Sequence, residues 1–324
     1  MGTCSSTPAV TAAEPLQNAN ACFQLENKDI SRLMIGCHGD TSLLPSYAYC
    51  SKLAIMKQTD PAIEPAQQTW AAGDFPRMGV ELAIVGEQLC ESVPVHAGDR
   101  VLDVGTASGN TAISAARRRA IVTGVDLVPA LLEHARKRAH AEGFEIDFRE
   151  GNAMALEFAD ASFDVVMSTF GAIFAPDPYK TSAEMARVCR PGGKIAMANW
   201  PADSMLGKLF RLLARYSAPG SRVDAPLEWG DETILTDRLG PYVRDLRVQR
   251  WAVRFRALSA ERWVEFMRAY FGPAIEAFQH SNSPESQKAL ADEMEALMLE
   301  HNCAQNGTVI GNSEYLEAVG TRRE

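Results

Sequence analysis

The sequence lacks any apolar run long enough to cross a bilayer, and its N-terminus lacks the charged start and apolar stretch of a secretory signal. We therefore expect a cytoplasmic protein without stable membrane insertion. The seven cysteines form no Cys-x-x-Cys pair and no metal-ligand spacing, so we expect reduced thiols and no metal site. They stand at residues 4, 22, 37, 50, 90, 189 and 303.

Positive charge is also scarce, because 32 Lys and Arg face 41 Asp and Glu, which gives a net charge of −9. An acidic chain repels a phosphate backbone, so we expect no nucleic-acid partner. The densest basic runs, Arg117–Arg119 and Arg136–Arg138, fall in predicted helices, where solvated faces are the simpler interpretation.

The first 60 residues have weak periodicity and are rich in Ser, Thr, Ala and Cys. We interpret 1–60 as a partly disordered N-terminal extension that acts as a lid or a dimer contact, ahead of one domain at 61–324. Met1–Ser6 also fits the short myristoylation pattern, with Cys4 as a second acylation site, although this pattern is common by chance.

Short apolar strands and amphipathic helices alternate five times between residues 100 and 200. This alternation predicts an α/β fold, a doubly wound parallel sheet covered by helices on both faces. The predicted strands are 100–104, 120–125, 145–149, 163–168 and 194–200, and the predicted helices include 76–92, 110–119 and 178–190. After residue 200 the pattern predicts a helix at 203–216, a strand at 243–257, helices within 259–302 and a last strand at 314–322. We interpret 201–245 as a helical cap inserted after the fifth strand.

The strongest local signal is the strand, turn and helix of Val101–Ala116, in which Gly105 and Gly109 let the backbone approach a ligand closely. The helix after the turn directs its N-terminal N–H groups toward that ligand. The frame is Asp-x-Gly-x-Ala-x-Gly, led by Asp103, rather than the Gly-x-Gly-x-x-Gly of dinucleotide enzymes. A carboxylate at this place suits an ammonium group better than a pyrophosphate.

Two further segments follow the next strands. Asp126 ends the second strand about 20 residues after the turn, where a carboxylate can accept from both ribose hydroxyls in either class of nucleotide cofactor. Gly151-Asn152-Ala153 follows the third strand, and its amide can pair with an adenine edge. A turn in which Asn152 satisfies its own backbone explains the same residues equally well.

Five segments together resemble the core of the class I S-adenosylmethionine-dependent methyltransferases, especially the small-molecule branch related to ubiquinone and menaquinone methyltransferases. They are VLDVGTASGN, VTGVDLVPALLEHARKRA, FREGNAMAL, FADASFDVVMSTFGAIFAPD and RVCRPGGKIAMANW, in this order between Val101 and Trp200. The resemblance implies a Rossmann-like seven-stranded sheet with an antiparallel last strand near Tyr315. It also implies methyl transfer from S-adenosyl-L-methionine.

The resemblance assigns roles to particular residues. Trp70 lies in a Trp-Ala-Ala-Gly-Asp segment that covers the cofactor in similar proteins, although it could equally anchor the first helix. The remaining cofactor-binding residues that the resemblance implies are Asp103, Gly105, Thr106 and Gly109 at the methionine part, Asp126 and Leu127 at the ribose and adenine, Asn152 and Ala153 at the adenine edge, and Ser168 below the sulfonium.

Two positions depart from the family pattern. Ala107 replaces the middle glycine, and Asn152 replaces an aspartate. A methyl group fits at position 107 if φ stays negative, so we expect weaker cofactor binding at most. Asn152 keeps an acceptor for the adenine amino group.

Methyl transfer requires alignment of the reactants, and it requires a base only where the acceptor must lose a proton. We name Tyr47 and His38 as candidate catalytic residues, because the N-terminal segment closes over the substrate in related proteins. Phe174, Phe210 and Trp229 are the predicted substrate pocket, which favours a small apolar or aromatic acceptor, although packing of the cap alone would give the same pattern.

Other functions remain open at this point. They are a protein or RNA methyltransferase, a nicotinamide oxidoreductase, which the Asp103 frame disfavours, and a non-catalytic binder of S-adenosylmethionine. The extension at 1–60 is also a candidate for pairing two copies into a homodimer.

Overall fold

The computed structural model describes residues 63–218 and 224–324. Their centre is a seven-stranded sheet with the order β3-β2-β1-β4-β5-β7-β6. The strands are β1 Arg100–Val104, β2 Ile121–Asp126, β3 Asp147–Glu150, β4 Phe163–Thr169, β5 Cys189–Asn199, β6 Val243–Ala257 and β7 Val309–Arg322. Strands β1 to β5 pair in parallel, and β7 is antiparallel to both β5 and β6. The predicted doubly wound sheet with its antiparallel last strand is confirmed.

Helices flank both faces of the sheet. They are α1 Ile63–Ala71, α2 Phe75–Gly79, α3 Ala83–Ser92, α4 Asn110–Arg117, α5 Pro129–Ala141, α6 Pro178–Val188, α7 Met205–Tyr216, α8 Asp224–Leu227, α9 Glu232–Leu239, α10 Ala260–Tyr270, α11 Gly272–His280 and α12 Pro284–Glu300. Short 3₁₀ turns occupy Val80–Leu82, Ala172–Phe174 and Glu228–Gly230.

The apolar runs of the central strands reflect burial on both faces, as expected for a parallel sheet. Successive side chains of β1 point to opposite faces, so Val101 joins an apolar cluster with α4 and α5, whereas Leu102 joins the cluster that contains α6 and α7. The carboxyl ends of the strands therefore meet at one edge of a sheet that is rigid on both sides.

Most element boundaries lie within two residues of those predicted, and three elements differ by more. The helix predicted at 76–92 is divided into α2, a 3₁₀ turn and α3. Strand β5 begins at Cys189 rather than 194, because a register shift opposite Phe163 and Val165 accommodates Pro191 and the two glycines after it. Strand β7 begins at Val309 rather than 314, because β6 pairs with it as far as Ala257.

Two helical segments follow β5. Helices α7 to α9 lie between β5 and β6, within the range 201–245 that the sequence assigns to a cap, and α10 to α12 lie between β6 and β7. Helix α7 packs against both α11 and α12, and α11 also contacts α1. The second segment therefore adds to the cap. The prediction for 1–60 lies outside the described residues.

In the described ranges no helix is long and apolar enough to span a membrane. Nor does the same part of the chain hold a group of three or more His, Cys, Asp or Glu side chains placed to bind a metal ion.

Asp164, near the start of β4, connects this strand to the amino ends of β1 and β5, at the sheet edge opposite the carboxyl ends. Its carboxylate accepts from the backbone N–H and Nε of Arg100, at 2.8 and 3.0 Å, and from Nε of Arg190 at 2.6 Å. These bonds, chiefly those from Arg100, hold the pKa of Asp164 well below its usual range.

We predict that Asp164→Asn lowers the free energy of unfolding at pH 7 by about 1 kcal/mol, a small value because both arginines are half exposed. A carboxylate whose pKa is lowered on folding stabilises the folded state above about pH 4. This stabilisation is lost as the pH falls through the lowered pKa. Urea unfolding at pH 7 and at about pH 2, where the folded-state carboxylate begins to protonate, checks this. A difference between variant and wild type that is equally large at both pH values contradicts it.

Candidate active site

The turn after β1 brings two stretches of backbone into direct contact. Gly105 has φ +69°, and a Cβ added there would lie 2.7 Å from Cα of Gly171, in the turn after β4. The N–H groups of Gly105 and Thr106 both donate to the carbonyl of Val125, at 2.8 and 2.9 Å. Only glycine permits this crossing, which joins the ends of β1, β2 and β4 at one point.

Asp103 lies at the base of this turn and is 1% exposed. Its Oδ2 accepts from Oγ1 of Thr106 at 2.7 Å and from the N–H of Ala112, in the first turn of α4, at 3.0 Å. No described group donates to Oδ1, and Asp103 lines a cavity. Loss of water through burial raises the pKa of Asp103 to about 7, with a smaller contribution from the charge of Asp126. The site therefore holds a carboxylate with one oxygen open to a cationic ligand.

Asp126 ends β2 beside the same turn. Its Oδ2 accepts from the N–H of Ala107 at 2.8 Å and its Oδ1 from the N–H of Val128 at 2.9 Å. Burial raises its pKa, and the backbone bonds oppose that rise. Each oxygen keeps a lone pair, so both can still accept from a diol.

Asn152 lies after β3, in a tight turn. Its Oδ1 accepts from the N–H of Met154 at 2.9 Å, so the local turn predicted as the alternative is present. Its Nδ2 makes no hydrogen bond within the described residues, and Asn152 lines the same cavity as Ala153. The amide therefore serves the turn with one end and leaves the other end for a ligand.

One cavity collects these groups. Its open volume is about 1280 Å³, which includes the mouth and the solvent space in front of it. What we call the polar wall consists of Asp103, Thr106, Ala107, Asn110, Asp126, Leu127, Val128, Leu131, Asn152 and Ala153. What we call the aromatic wall consists of Phe75, Met78, Leu82, Phe170, Phe174, Trp200, Leu206, Phe210, Phe255 and Phe271. Within the described residues, Asp103 and Asp126 are the ionisable side chains that line the cavity.

Trp70, on α1, packs against the aromatic wall. Its ring meets those of Phe75, Phe174 and Phe271 edge-on, with centroids 5.8, 4.8 and 6.1 Å away. Phe210 in turn lies within 5.8 Å of both Phe174 and Phe271. Trp70 therefore anchors α1 and also lines the cavity, so both of its predicted roles remain compatible with the structure.

The chain matches known proteins across this region. A family model described as a methyltransferase domain matches residues 102–197. Demethylmenaquinone methyltransferase of Deinococcus radiodurans is 39% identical over 182 residues, which cover 52% of this chain and 76% of that protein. An uncharacterised protein of Mycobacterium tuberculosis is 39% identical over 242 residues, covering 73% of this chain and 88% of that protein. A Bacillus halodurans protein of known structure shares the fold, with a TM-score of 0.51 at 17% identity over 73% of this chain and 98% of that one.

The chain belongs to the class I S-adenosylmethionine-dependent methyltransferases. It is related to the quinone methyltransferases, and S-adenosyl-L-methionine is its cofactor.

The polar wall of the methyltransferase fits this cofactor. The open oxygen of Asp103 suits an ammonium group, and both oxygens of Asp126 suit a ribose diol. The apolar side chains of Leu127 and Leu131 offer a surface for the adenine ring, and the free Nδ2 of Asn152 faces the same space. Which residues contact the cofactor remains a prediction.

Most of the predicted site residues lie together. The cavity is lined by Trp70, Asp103, Gly105, Thr106, Asp126, Leu127, Asn152, Ala153, Phe174 and Phe210. Tyr47 and His38, the candidate bases, lie outside the described residues.

Three of the predicted site residues do not line the cavity. Gly109 begins α4 with φ +84° and packs against Ala135 and Phe148. Ser168 is fully buried, because its hydroxyl donates to the carbonyl of Val104 at 2.6 Å and accepts from Ala172, and the next residue lines the cavity instead. Trp229 is fully buried beneath the guanidinium of Arg238.

Sequence reasoning missed much of the aromatic wall, namely Phe75, Phe170, Trp200, Phe255 and Phe271. Two of them had a signal, because Phe170 and Trp200 directly follow β4 and β5 at the carboxyl edge, where ligands bind in such sheets. Phe75 lies before β1, Phe255 on β6 and Phe271 between α10 and α11, and only the tertiary fold brings them to the cavity.

The condition set above for a methyl group at position 107, a negative φ, is not met, because the φ of Ala107 is +47°. The bond from its N–H to Asp126 holds the residue in the left-handed region, which is unfavourable for a residue with a Cβ.

We predict that Ala107→Gly stabilises the protein by about 1 kcal/mol and leaves the affinity for S-adenosylhomocysteine undiminished. Ala161→Gly is a matched control for the relief of backbone strain, because Ala161 has φ +57° and does not line the cavity. It should stabilise the protein to a similar extent and leave the affinity for the ligand unchanged. Thermal unfolding and calorimetric titration check both variants. A lower melting temperature for Ala107→Gly alone contradicts the account of strain.

We also predict that S-adenosylhomocysteine binds more tightly as the pH rises toward 7, by up to about tenfold per unit below pH 7, because only ionised Asp103 pairs with an ammonium group. The same raised pKa means that Asp103 stabilises the ligand-free fold at low pH and loses this effect as the pH rises through 7. Titrations between pH 5.5 and 8 check the binding. Asp103→Asn should bind weakly and without this slope, and an unchanged slope in that variant would contradict the assignment.

Proposed function

We propose that this methyltransferase transfers its methyl group to a small apolar or aromatic organic acceptor. The observation that carries the proposal is the aromatic wall, which faces the same cavity as the polar wall and contains no ionisable side chain. A concave apolar surface of this kind binds rings and hydrocarbon groups by removing them from water. The name of the Deinococcus radiodurans relative, which refers to demethylmenaquinone, supports an organic acceptor.

When bound, S-adenosyl-L-methionine supplies a methyl group on a sulfonium that is already activated. The residues of the chain then have to orient the acceptor and exclude water. Phe174 and Phe210 contact each other with centroids 5.5 Å apart, and Trp70 packs on Phe174. These rings form a rigid apolar lining next to the polar wall.

A base, where the acceptor needs one, must come from elsewhere in the chain. The two ionisable side chains that line the described cavity, Asp103 and Asp126, belong to the polar wall and carry backbone hydrogen bonds. Tyr47 and His38 therefore remain our proposed bases for an acceptor that must lose a proton. An acceptor that is already nucleophilic needs neither of them.

A protein or RNA acceptor is the alternative, and a non-catalytic role is a second one. The net charge of −9 disfavours RNA. We also propose that two copies pair through 1–60, a proposal for which sedimentation of a truncated chain is the direct test.

We predict that label from methyl-tritiated S-adenosylmethionine, added with the enzyme to an extract of its source organism, enters the organic phase. Asp126→Ala should reduce this label by about 10- to 100-fold, because it removes charged hydrogen-bond acceptors for the ribose. Asp147→Ala, an exposed carboxylate on β3 away from the cavity, is the matched control and should transfer normally.

The fraction in which the label appears distinguishes a small acceptor from a macromolecular acceptor and from a non-catalytic role. Label only in the precipitated macromolecule contradicts the small acceptor and favours protein or RNA. No label in either phase, despite tight binding of S-adenosylhomocysteine, favours a non-catalytic role.

A further inference from the structure

Trp200 directly follows β5, and its indole N–H is a hydrogen-bond donor without a partner in the described residues. It is 3% exposed, and it lines the aromatic wall. Its indole N–H makes no hydrogen bond with any residue of the protein that the structure describes. The N–H is also absent from the buried atoms that lack a partner, so it stays accessible although the residue is almost buried, and it can donate to a ligand in the cavity.

Two other indoles of the described residues differ from Trp200 in this respect. Trp251 donates to Oε1 of Glu317 at 3.4 Å. Trp263 also lacks an acceptor, but its N–H is sealed inside the core and the residue does not line the cavity. Trp70 also lines the cavity without an indole hydrogen bond to a described residue, but it meets its neighbours edge-on. Trp200 differs from it in having its plane fixed by a stacked ring.

Phe170 fixes the plane of this indole. The two rings are stacked, with centroids 3.7 Å apart and an interplanar angle of 8°. Phe170 has φ +61°, a strained conformation for a bulky residue. Its N–H donates to the carbonyl of Ala198 at 3.0 Å. The turn is also held by the two hydrogen bonds of the Ser168 hydroxyl and by the packing of Gly171 on Gly105. Backbone strain that persists next to a cavity is typical of functional sites.

We infer that Trp200 is a specificity-determining residue of the acceptor subsite, whose N–H donates to an oxygen carried by a flat acceptor ring. Phe170 is a positioning residue, because it acts through the orientation of the indole. The inference rests on the proposed function and narrows it, from any apolar acceptor to a ring that bears a hydroxyl or carbonyl oxygen. Indole N–H is a donor only, so Trp200 orients the oxygen and does not remove its proton.

The test compares two probes that differ in one group, 2-naphthol and 2-methylnaphthalene. Both are titrated calorimetrically into the full-length enzyme saturated with S-adenosylhomocysteine. The measured quantity is the ratio of their dissociation constants, which cancels the affinity that the rings share. We expect Trp200→Phe to shift this ratio by about 3- to 10-fold against 2-naphthol, the range of one neutral hydrogen bond.

Trp263→Phe is the matched control, because it also removes an unpaired indole N–H but outside the cavity. It should leave the ratio unchanged, and both variants should bind S-adenosylhomocysteine like the wild type, which also reports that they fold. The indole ¹H–¹⁵N signal of Trp200 in the wild type gives an independent readout, and we expect 2-naphthol alone to move it downfield.

An unchanged ratio in Trp200→Phe, or an equal shift in Trp263→Phe, overturns the role of Trp200 and leaves the apolar acceptor standing. An indole signal that responds equally to both probes overturns it too. Failure of both probes to bind the wild type contradicts the aromatic acceptor itself, and the two proposals are thereby distinguished.

Discussion

The contact between Gly105 and Gly171 is the constraint on which the rest of the site depends. Either residue with a Cβ would collide with the backbone of the other, so the turns after β1 and β4 can cross only as two glycines. The crossing sets Asp103 and the start of α4 on one side, and Phe170 with its stacked partner Trp200 on the other. The polar and aromatic walls are thus joined by main chain rather than by mobile side chains, which suits a reaction that depends on alignment of its reactants.

Charge is distributed unevenly over the lining of the cavity. Asp103 and Asp126 are buried where their ionised forms are disfavoured, and backbone N–H groups from the adjoining turns and from α4 partly compensate for the lost water. A cationic ligand group would complete that compensation at Asp103. The aromatic wall carries no such charge, so the two walls differ in the chemistry that they offer within one cavity.

The sequence predicted the sheet, the antiparallel last strand and most of the polar wall, because strand ends and glycine turns are local patterns with a fixed place in this topology. It could not predict that Ser168 and Trp229 turn inward, since hydroxyl bonding and packing beneath Arg238 depend on distant segments. Phe255 and Phe271 reach the cavity only because β6 and the cap helices fold back over the carboxyl edge. The sign of φ at Ala107 likewise follows from a bond to Asp126, not from the residue itself.

The most direct test of the account is a crystal structure of the enzyme with S-adenosylhomocysteine. The account predicts the amino group of the ligand beside Oδ1 of Asp103, the ribose hydroxyls on Asp126, and free space along Phe170, Trp200 and Phe210. Adenine or ribose density against that aromatic wall, with Asp126 uncontacted, would contradict the division of the cavity and the acceptor assignment built on it.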